Sequence, residues 1–187
     1  WQNLLVMVVM ALVVCALGNS DRTFHFRMRM EECMVKGNFA EATQVGVKEA
    51  ATDSSLTMLR VWALSENHML GDRLFSYPLV GGSDAMLPNG ASVKLMMADE
   101  RKLYAHLGVV FLQKMRPRVY LETLHKAHRA TAAAHDWLLC AYLLDRDLNQ
   151  FVRHLAKYYP INEQLPKHYK EALIIYKHTT SHPLISY

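Results

Sequence analysis

Residues 148–159 read LNQFVRHLAKYY, and this stretch decides the class of fold. Its apolar side chains recur at intervals of three and four residues, which is the period of one face of an α-helix. Two further stripes with this period lie on either side of it: Ala134, Trp137, Leu138, Ala141 and Tyr142 before it, and Leu165, Tyr169, Ala172, Leu173 and Tyr176 after it. The sequence therefore predicts an all-α fold.

The same period continues outward through almost all of the chain after residue 20. Residues 23–30 alternate polar and apolar side chains like a strand, but Met and Arg favour helices and no second strand is found to pair with them. Residues 77–92 hold three glycines and two prolines and are predicted to form an irregular loop. Helices are predicted near 23–36, 39–51, 55–70, 92–113, 117–129, 131–144, 147–159 and 166–179. The short links between them predict antiparallel neighbours.

A repeat-like pattern marks two of the predicted turns. Residues 36–42 read KGNFAEA, in which a small residue permits the turn, an aromatic plugs the hairpin and an alanine allows close approach. Residues 70–75 read LGDRLF, and 34 residues separate the two glycines, which is the tetratricopeptide period. We predict tetratricopeptide-like antiparallel hairpins, with left-handed glycines at both turns, and an irregular bundle with a coincidental spacing as the alternative. The residues concerned are Gly37, Phe39, Ala42, Gly71 and Phe75.

The first segment has a different character. Residues 4–17 read LLVMVVMALVVCAL, with no charged side chain, and they are shorter than the roughly 20 apolar residues of a spanning helix. We predict a transmembrane anchor over residues 1–20 and a helical-hairpin domain over 21–187. A secretory signal peptide cut near Ala16-Leu17-Gly18 is the alternative. The predicted location is the bacterial inner membrane, with sidedness open and the cytoplasmic side favoured by Arg22, Arg27 and Arg29.

Three short motifs resemble a known family. They are ALSE at 63–66, LGDRLF at 70–75 and LPKHYKEAL at 165–173. They resemble an uncharacterised membrane-protein family typical of the Bacteroidetes. The resemblance implies hydrophobic spans followed by a tetratricopeptide-like helical region, and it would make this chain the C-terminal part of a longer protein. It implies no catalytic residues.

Residues that could carry chemistry are scattered. The three cysteines are far apart and form no CxxC pair, which argues against zinc ribbons and thioredoxin-like sites. His125 and His128, with Glu122 near them, and His178 and His182 have helical spacing, but a zinc site needs a third and usually a fourth ligand. We interpret the spacing of these pairs as that of exposed histidines on helix faces. We therefore predict no catalytic residue, no metal, no cofactor and no enzyme.

The strongest charge feature is the stretch from residue 101 to residue 129, where Glu122 is the one acidic residue. Its basic residues form a candidate interaction face, although a solvated surface explains them equally well: Arg101, Lys102, Lys114, Arg116, Arg118, Lys126 and Arg129. An acidic protein partner or anionic lipid would suit this charge. Nucleic acid is disfavoured, because no aromatic-rich recognition module accompanies the charge.

The predicted function is that of a membrane-anchored helical module for protein–protein interaction or scaffolding. Two alternatives remain open at this point. One is a metal-dependent enzyme that uses the histidine-rich helices and the 77–92 loop, and the other is a structural subunit of a larger membrane assembly. The sequence does not identify the partner or the biological process.

Overall fold

The computed structural model describes residues 1–18, 20–109, 115–181 and 184, and the secondary structure among them is helical, without a β-strand. The prediction of an all-α fold is confirmed. The α-helices are α1 Gln2–Leu17, α2 Arg22–Val35, α3 Phe39–Ala42, α4 Ser54–Glu66, α5 Leu70–Arg73, α6 Glu100–Leu107, α7 Pro117–Lys126, α8 Ala132–Leu144, α9 Leu148–Tyr158 and α10 Lys167–Thr179. Two short 3₁₀ turns, Leu74–Ser76 and Gly82–Ala85, lie between α5 and α6.

Helices α4 and α8 lie at the centre of the core. The side chains from Ser55 to Ser65 in α4 are buried, and so are those from Trp137 to Tyr142 in α8. Helices that are covered on nearly all sides need apolar residues nearly all round. Helix α8 supplies them, and α4 supplies them together with a few buried polar residues, such as Thr57 and Arg60. Around them, α2 and α3 pack on α4, α6, α7 and α9 pack on α8, and α10 packs on α5 and α9. This arrangement places α7, α8 and α9 side by side.

Helices α2, α4 and α8 end in the same kind of turn. Gly37, His68 and Arg146 have left-handed backbone conformations, with φ of 77°, 55° and 59°. The N–H group of the following residue donates to a carbonyl in the last helical turn, as in a Schellman motif. These bonds run from Asn38 to Cys33, from Met69 to Leu64 and from Asp147 to Tyr142. The next helix begins at once, so the chain reverses sharply.

The two glycines of the predicted repeat have different roles. Gly37 has the expected left-handed conformation, but Gly71 lies inside α5 and the turn is made by His68. A Cβ at Gly71 would stand 2.8 Å from both Pro166 Cβ and Tyr169 Cζ, so the glycine is needed for the close approach of α10. Because α3 and α5 have four residues each, they are not full partner helices. The tetratricopeptide-like array is not confirmed.

The other three residues of the repeat motif pack into the domain. Ala42 is fully buried, as the close approach of α2, α3 and α4 requires. The ring of Phe39 lies 6.4 Å from that of Trp62, and the ring of Phe75 lies edge-on to His168 at 5.3 Å. These residues therefore stabilise helix contacts whether or not they belong to a repeat.

Helix α1 forms as predicted, but it has 16 residues. At a rise of 1.5 Å per residue this is about 24 Å, which is shorter than the roughly 30 Å hydrocarbon core of a bilayer. No helix in the described part of the chain is both long enough and apolar enough to cross a membrane. The predictions of a transmembrane helix and of an inner-membrane location are therefore wrong.

The segment between α5 and α6 is longer and more firmly packed than the predicted loop. It contains buried side chains of Ala85, Met86, Leu87 and Val93. At its end the fully buried carboxylate of Glu31 in α2 accepts hydrogen bonds from three successive N–H groups, at 2.8 Å from Met96, 2.6 Å from Met97 and 3.0 Å from Ala98. The helix predicted from residue 92 therefore begins only at Glu100. Likewise, α3 ends at Ala42, short of the predicted residue 51.

Candidate functional site

The basic residues of the 101–129 stretch do not form one free face. Arg116 makes a two-point ion pair with Asp84, at 3.1 Å and 2.6 Å. Arg101 and Lys102 are exposed on α6, whereas Lys126 and Arg129 are exposed at the end of α7 and just after it. Lys114 lies outside the described residues. The charge is thus divided among separate places, and part of it is neutralised within the domain.

Arg118 is the most extensively paired of these residues. Its guanidinium donates to Glu122 at 3.1 Å and to Asp147 at 2.8 Å, and it lies 3.5 Å from Asp145. The same group lies over the ring of Tyr142, 4.8 Å from its centroid. Planar guanidinium groups suit such combinations of carboxylates and rings. Arg118 therefore ties α7 to α8, to α9 and to the turn between them.

Beside this network, residues of α7, α8 and α9 line a cavity of about 730 Å³ that is open to solvent on one side. We call it the α7–α9 cavity. Ligand sites in proteins commonly have volumes of about 300–1,000 Å³. Leu138 and Ala130 give its lining an apolar part. Most of its other side chains are imidazoles, phenols or lysines, among them His125, Lys126, His135, His154, Lys157 and Tyr158.

Aromatic contacts hold much of the wall together. The rings of His135 and Tyr158 are stacked, with centroids 4.1 Å apart and planes 11° apart. His125 lies against both, at 5.1 Å and 5.4 Å. On the other part of the wall, Tyr142 and His154 are 5.0 Å apart. The cavity is therefore bounded by two groups of planar rings in contact, one of three rings and one of two.

Two of the histidines have a fixed orientation. Nδ1 of His125 lies 2.7 Å from the Leu121 carbonyl oxygen, and Nδ1 of His154 lies 2.9 Å from that of Gln150. Because a carbonyl oxygen only accepts hydrogen bonds, both Nδ1 atoms carry the proton and donate, which leaves Nε2 as the acceptor of the neutral ring. Nε2 of His125 is buried without a hydrogen-bond partner in the described part of the protein.

Burial disfavours the charged form of two of these imidazoles. It lowers the pKa of His125, against the opposing hydrogen bond to the Leu121 carbonyl, and the ammonium group of Lys157 acts in the same direction as burial. Burial also lowers the pKa of His135, against the effect of Asp136. At neutral pH these two rings are therefore uncharged, and the positive charge of the cavity comes from its lysines.

Charge in the cavity is unbalanced. Glu122 is the one carboxylate among its lining residues, and it already accepts hydrogen bonds from Arg118 and from the Tyr142 hydroxyl. Lys126 and Lys157 form no ion pair with any carboxylate that the structure describes. Both lysines line the same cavity as the ring contact between His125 and Tyr158. With Glu122 engaged, they leave the cavity with a net positive charge.

Of the two histidine pairs noted in the sequence, the structure describes both members of the first and one member of the second. His128 has φ of 53° and follows the end of α7, so it does not share a helix face with His125. His182 lies outside the described residues. No group of three or more His, Cys, Asp or Glu side chains is placed to hold a metal ion in the part of the chain that the structure describes.

A second polar cluster joins α4 and α6. Nδ1 of His106 lies 3.3 Å from Glu66, and its Nε2 lies 2.8 Å from Ser65 Oγ. This order of serine, imidazole and carboxylate is that of a nucleophilic triad. However, Ser65 is only 4% exposed, and it sits within a helix instead of on the exposed strand-to-helix turn of a nucleophile elbow. Glu66 also accepts from Trp62 Nε1 at 3.0 Å. The cluster therefore satisfies buried polar groups between helices.

The comparisons with known proteins give one match. Residues 97–185 match the model of a family described as a family of unknown function, DUF6057. The matched segment is somewhat less than half of the chain, and it includes α6 to α10 with every residue of the α7–α9 cavity. The expectation of an uncharacterised family is confirmed to this extent. No curated protein and no solved structure matches the chain.

Sequence reasoning missed the cavity, although each part of its wall has a helical spacing. His154, Lys157 and Tyr158 follow the i, i+3, i+4 pattern on α9, and His135, Leu138 and Tyr142 follow the i, i+3, i+7 pattern on α8. Each stripe mixes rings with apolar or charged side chains, so neither stripe by itself indicates a binding site in the sequence. Only the side-by-side packing of α7, α8 and α9 brings them together.

Proposed function

We propose that this chain is a binding module without catalytic activity, and that its α7–α9 cavity receives an acidic group of a protein partner. The observation that carries the proposal is the pair of lysines, Lys126 and Lys157, at a cavity whose one carboxylate is already bound by Arg118. A carboxylate that enters between two ammonium groups gains charge-assisted hydrogen bonds, which are stronger than neutral ones.

Several features support a binding role over catalysis. The cavity presents lysines and neutral imidazoles, but its one carboxylate is engaged, and the described residues assemble no metal-binding group. The Ser65–His106–Glu66 cluster lies outside the cavity lining and its serine is buried. A recess lined by lysines and rings on a packed helical domain is suited to holding a partner group. We therefore favour the interaction role over the alternative of a metal-dependent enzyme.

The test is a titration of the full chain with a fluorescein-labelled hexaglutamate peptide, followed by fluorescence anisotropy. The double variant Lys126→Gln, Lys157→Gln removes both ammonium groups of the cavity. We expect it to raise the Kd by about tenfold or more, since hydrogen bonds to charged groups contribute about 1.5–3 kcal/mol each and 1.4 kcal/mol corresponds to a factor of ten. Higher ionic strength should weaken binding to the unmodified chain.

Two matched variants serve as controls. Lys48→Gln, Lys94→Gln removes the same net charge from exposed positions outside the cavity, and Arg101→Gln, Lys102→Gln removes it from α6. We expect less than a twofold change in Kd for both. Equal losses in all three double variants would show that the peptide responds to net charge alone, and the proposal would be wrong. A loss confined to the α6 variant would move the interaction face to Arg101 and Lys102.

A further inference from the structure

The α7–α9 cavity is much larger than an acidic group needs. At about 730 Å³ it would be left mostly unfilled by a carboxylate held between Lys126 and Lys157. The remaining space suits an apolar or aromatic group, because Leu138, Ala130 and the faces or edges of several rings in the lining are apolar or weakly polar. Ligand sites of this kind are mainly apolar, with a few charged groups that fix the orientation.

The rings of the wall are arranged for contact with another ring. His135 and Tyr158 form a near-parallel stack, and His125 is inclined by 46° to His135 and by 56° to Tyr158. Offset-stacked and inclined arrangements with centroids 4.5–7 Å apart are those that aromatic rings prefer. A planar ring that enters beside this group can therefore make contacts of both kinds, while a non-planar ring of the same size cannot lie flat.

We infer that the cavity takes an aromatic acid, with its planar ring against His125, His135 and Tyr158 and its acidic group between Lys126 and Lys157. This inference rests on the proposed function and names the chemical class of the group that binds. An aromatic side chain that itself carries the acidic group, or a free aromatic acid, would present the same chemistry. The lowered pKa values of His125 and His135 support the assignment. An uncharged imidazole loses less hydration free energy than a charged one when a ring covers it.

The experiment compares three monoanions: phenylacetate, cyclohexylacetate and acetate. Each is titrated against the complex of the full chain with labelled hexaglutamate, and displacement of the peptide gives its Kd. We expect phenylacetate to bind at least tenfold more tightly than acetate and at least threefold more tightly than cyclohexylacetate. The preference over acetate comes from the ring contacts, and the preference over cyclohexylacetate comes from the planarity of the phenyl ring.

Two variants locate the ring site. Tyr158→Leu and His135→Leu each replace a ring of the wall with a branched apolar side chain, and Phe75→Leu removes a half-buried ring that lies outside the cavity. We expect the first two to reduce the preference for phenylacetate over acetate to less than threefold. Phe75→Leu should leave this preference unchanged. Circular dichroism at 222 nm checks that each variant is folded.

Failure of the inference is distinguishable from failure of the proposed function. If hexaglutamate binding depends on Lys126 and Lys157 but the three monoanions bind equally, the ring assignment is wrong and the acidic site stands. If phenylacetate keeps its advantage in both leucine variants, the ring lies elsewhere and the inference is also wrong. If neither the peptide nor any monoanion binding depends on the two lysines, the proposed function itself fails.

Discussion

Helices α1 and α8 are both built mainly from apolar residues, yet they lie in opposite environments. In α1 every described large apolar side chain is exposed, for example Leu5 at 66% and Met7 at 70%. In α8 the side chains of Trp137, Leu138 and Leu139 are fully buried. Apolar composition alone therefore does not determine where a helix packs in this protein.

The two helices differ in their polar side chains. Asp136 of α8 accepts hydrogen bonds from the hydroxyls of Tyr159 and Tyr169, at 2.7 Å and 2.9 Å, and Tyr142 donates to Glu122 on α7. These directional bonds fix α8 against α7 and α10 in one rotation. Helix α1 has the sequence QNLLVMVVMALVVCAL, which carries no charged side chain and has its only amides in the first turn. It has no comparable group to fix its rotation against the domain.

The comparison shows how burial and specificity combine. Apolar area drives a helix out of water, but it is nearly the same on all sides of α1 and α8 and cannot choose a partner surface. A few buried polar groups, each satisfied in one arrangement, select that arrangement.

Truncation of a buried ring in α8 should have the largest effect. Trp137→Ala should lower the free energy of unfolding by about 3–5 kcal/mol, because it removes a large fully buried side chain and leaves a cavity. Leu5→Ala in α1 should change it by less than about 0.5 kcal/mol, as is usual for exposed positions. Urea unfolding followed by circular dichroism measures both. Similar losses for the two variants would contradict the contrast between the helices.

Removal of a polar group that fixes α8 should have the next largest effect. Asp136→Ala leaves two tyrosine hydroxyls without their acceptor and should lower the free energy of unfolding by about 2–3 kcal/mol. Asp136→Asn keeps the oxygen that both hydroxyls contact, so it should lose less than half of that. The same urea measurement applies. An alanine variant as stable as the asparagine variant would show that these bonds do not fix the helix.

Acidification should weaken the domain through the histidines around α8. Burial lowers the folded-state pKa of His125, His135 and His106, so the unfolded chain binds protons near pH 6.5 that the folded chain does not. Stability from these groups is present above about pH 6.5 and is lost as the pH falls toward their folded pKa values. Urea unfolding at intervals between pH 7.5 and 5.5 should show this decline, and the double variant His125→Gln, His135→Gln should flatten it. An unchanged slope in that variant would exclude these two rings as its source.

A structural feature can be predicted from the sequence when the residues that determine it are close together in the chain. Local patterns were sufficient for α9 and for the left-handed turn at Gly37, since both depend on residues within a few positions. The turn at His68 was missed, because glycine is the residue expected in that conformation and Gly71 stood nearby. The short span of α1 was misjudged because apolar composition was given more weight than length.

The candidate site could not be predicted from the sequence, because it depends on contacts between distant parts of the chain. Charge density in the 101–129 stretch suggested one basic face, but Arg116 and Arg118 are bound by Asp84, Asp145 and Asp147, which come from other parts of the chain. Among the described residues of the predicted face, Lys126 alone lines the α7–α9 cavity, where it is joined by Lys157 from α9. Long-range pairing decides which charges remain available, and a single sequence does not contain it.

The smallest effect should come from removal of α1. A chain that begins at Ser20 should have the same melting temperature as the full chain within about 2 °C, because the large side chains of α1 bury little area against the domain. Its affinity for hexaglutamate should be unchanged as well. Differential scanning calorimetry and the anisotropy titration measure these two quantities. A drop of several degrees would mean that α1 stabilises the domain in spite of its exposure.

The carboxylate of Glu31 has a consequence for hydrogen exchange. Met96, Met97 and Ala98 lie outside regular secondary structure, where amide protons ordinarily exchange with solvent deuterium within seconds to minutes. Their three N–H groups are all bound by one fully buried carboxylate, so none can exchange until Glu31 separates from residues 96–98. These three amides should therefore exchange together, at the rate of one local opening that separates residues 96–98 from α2.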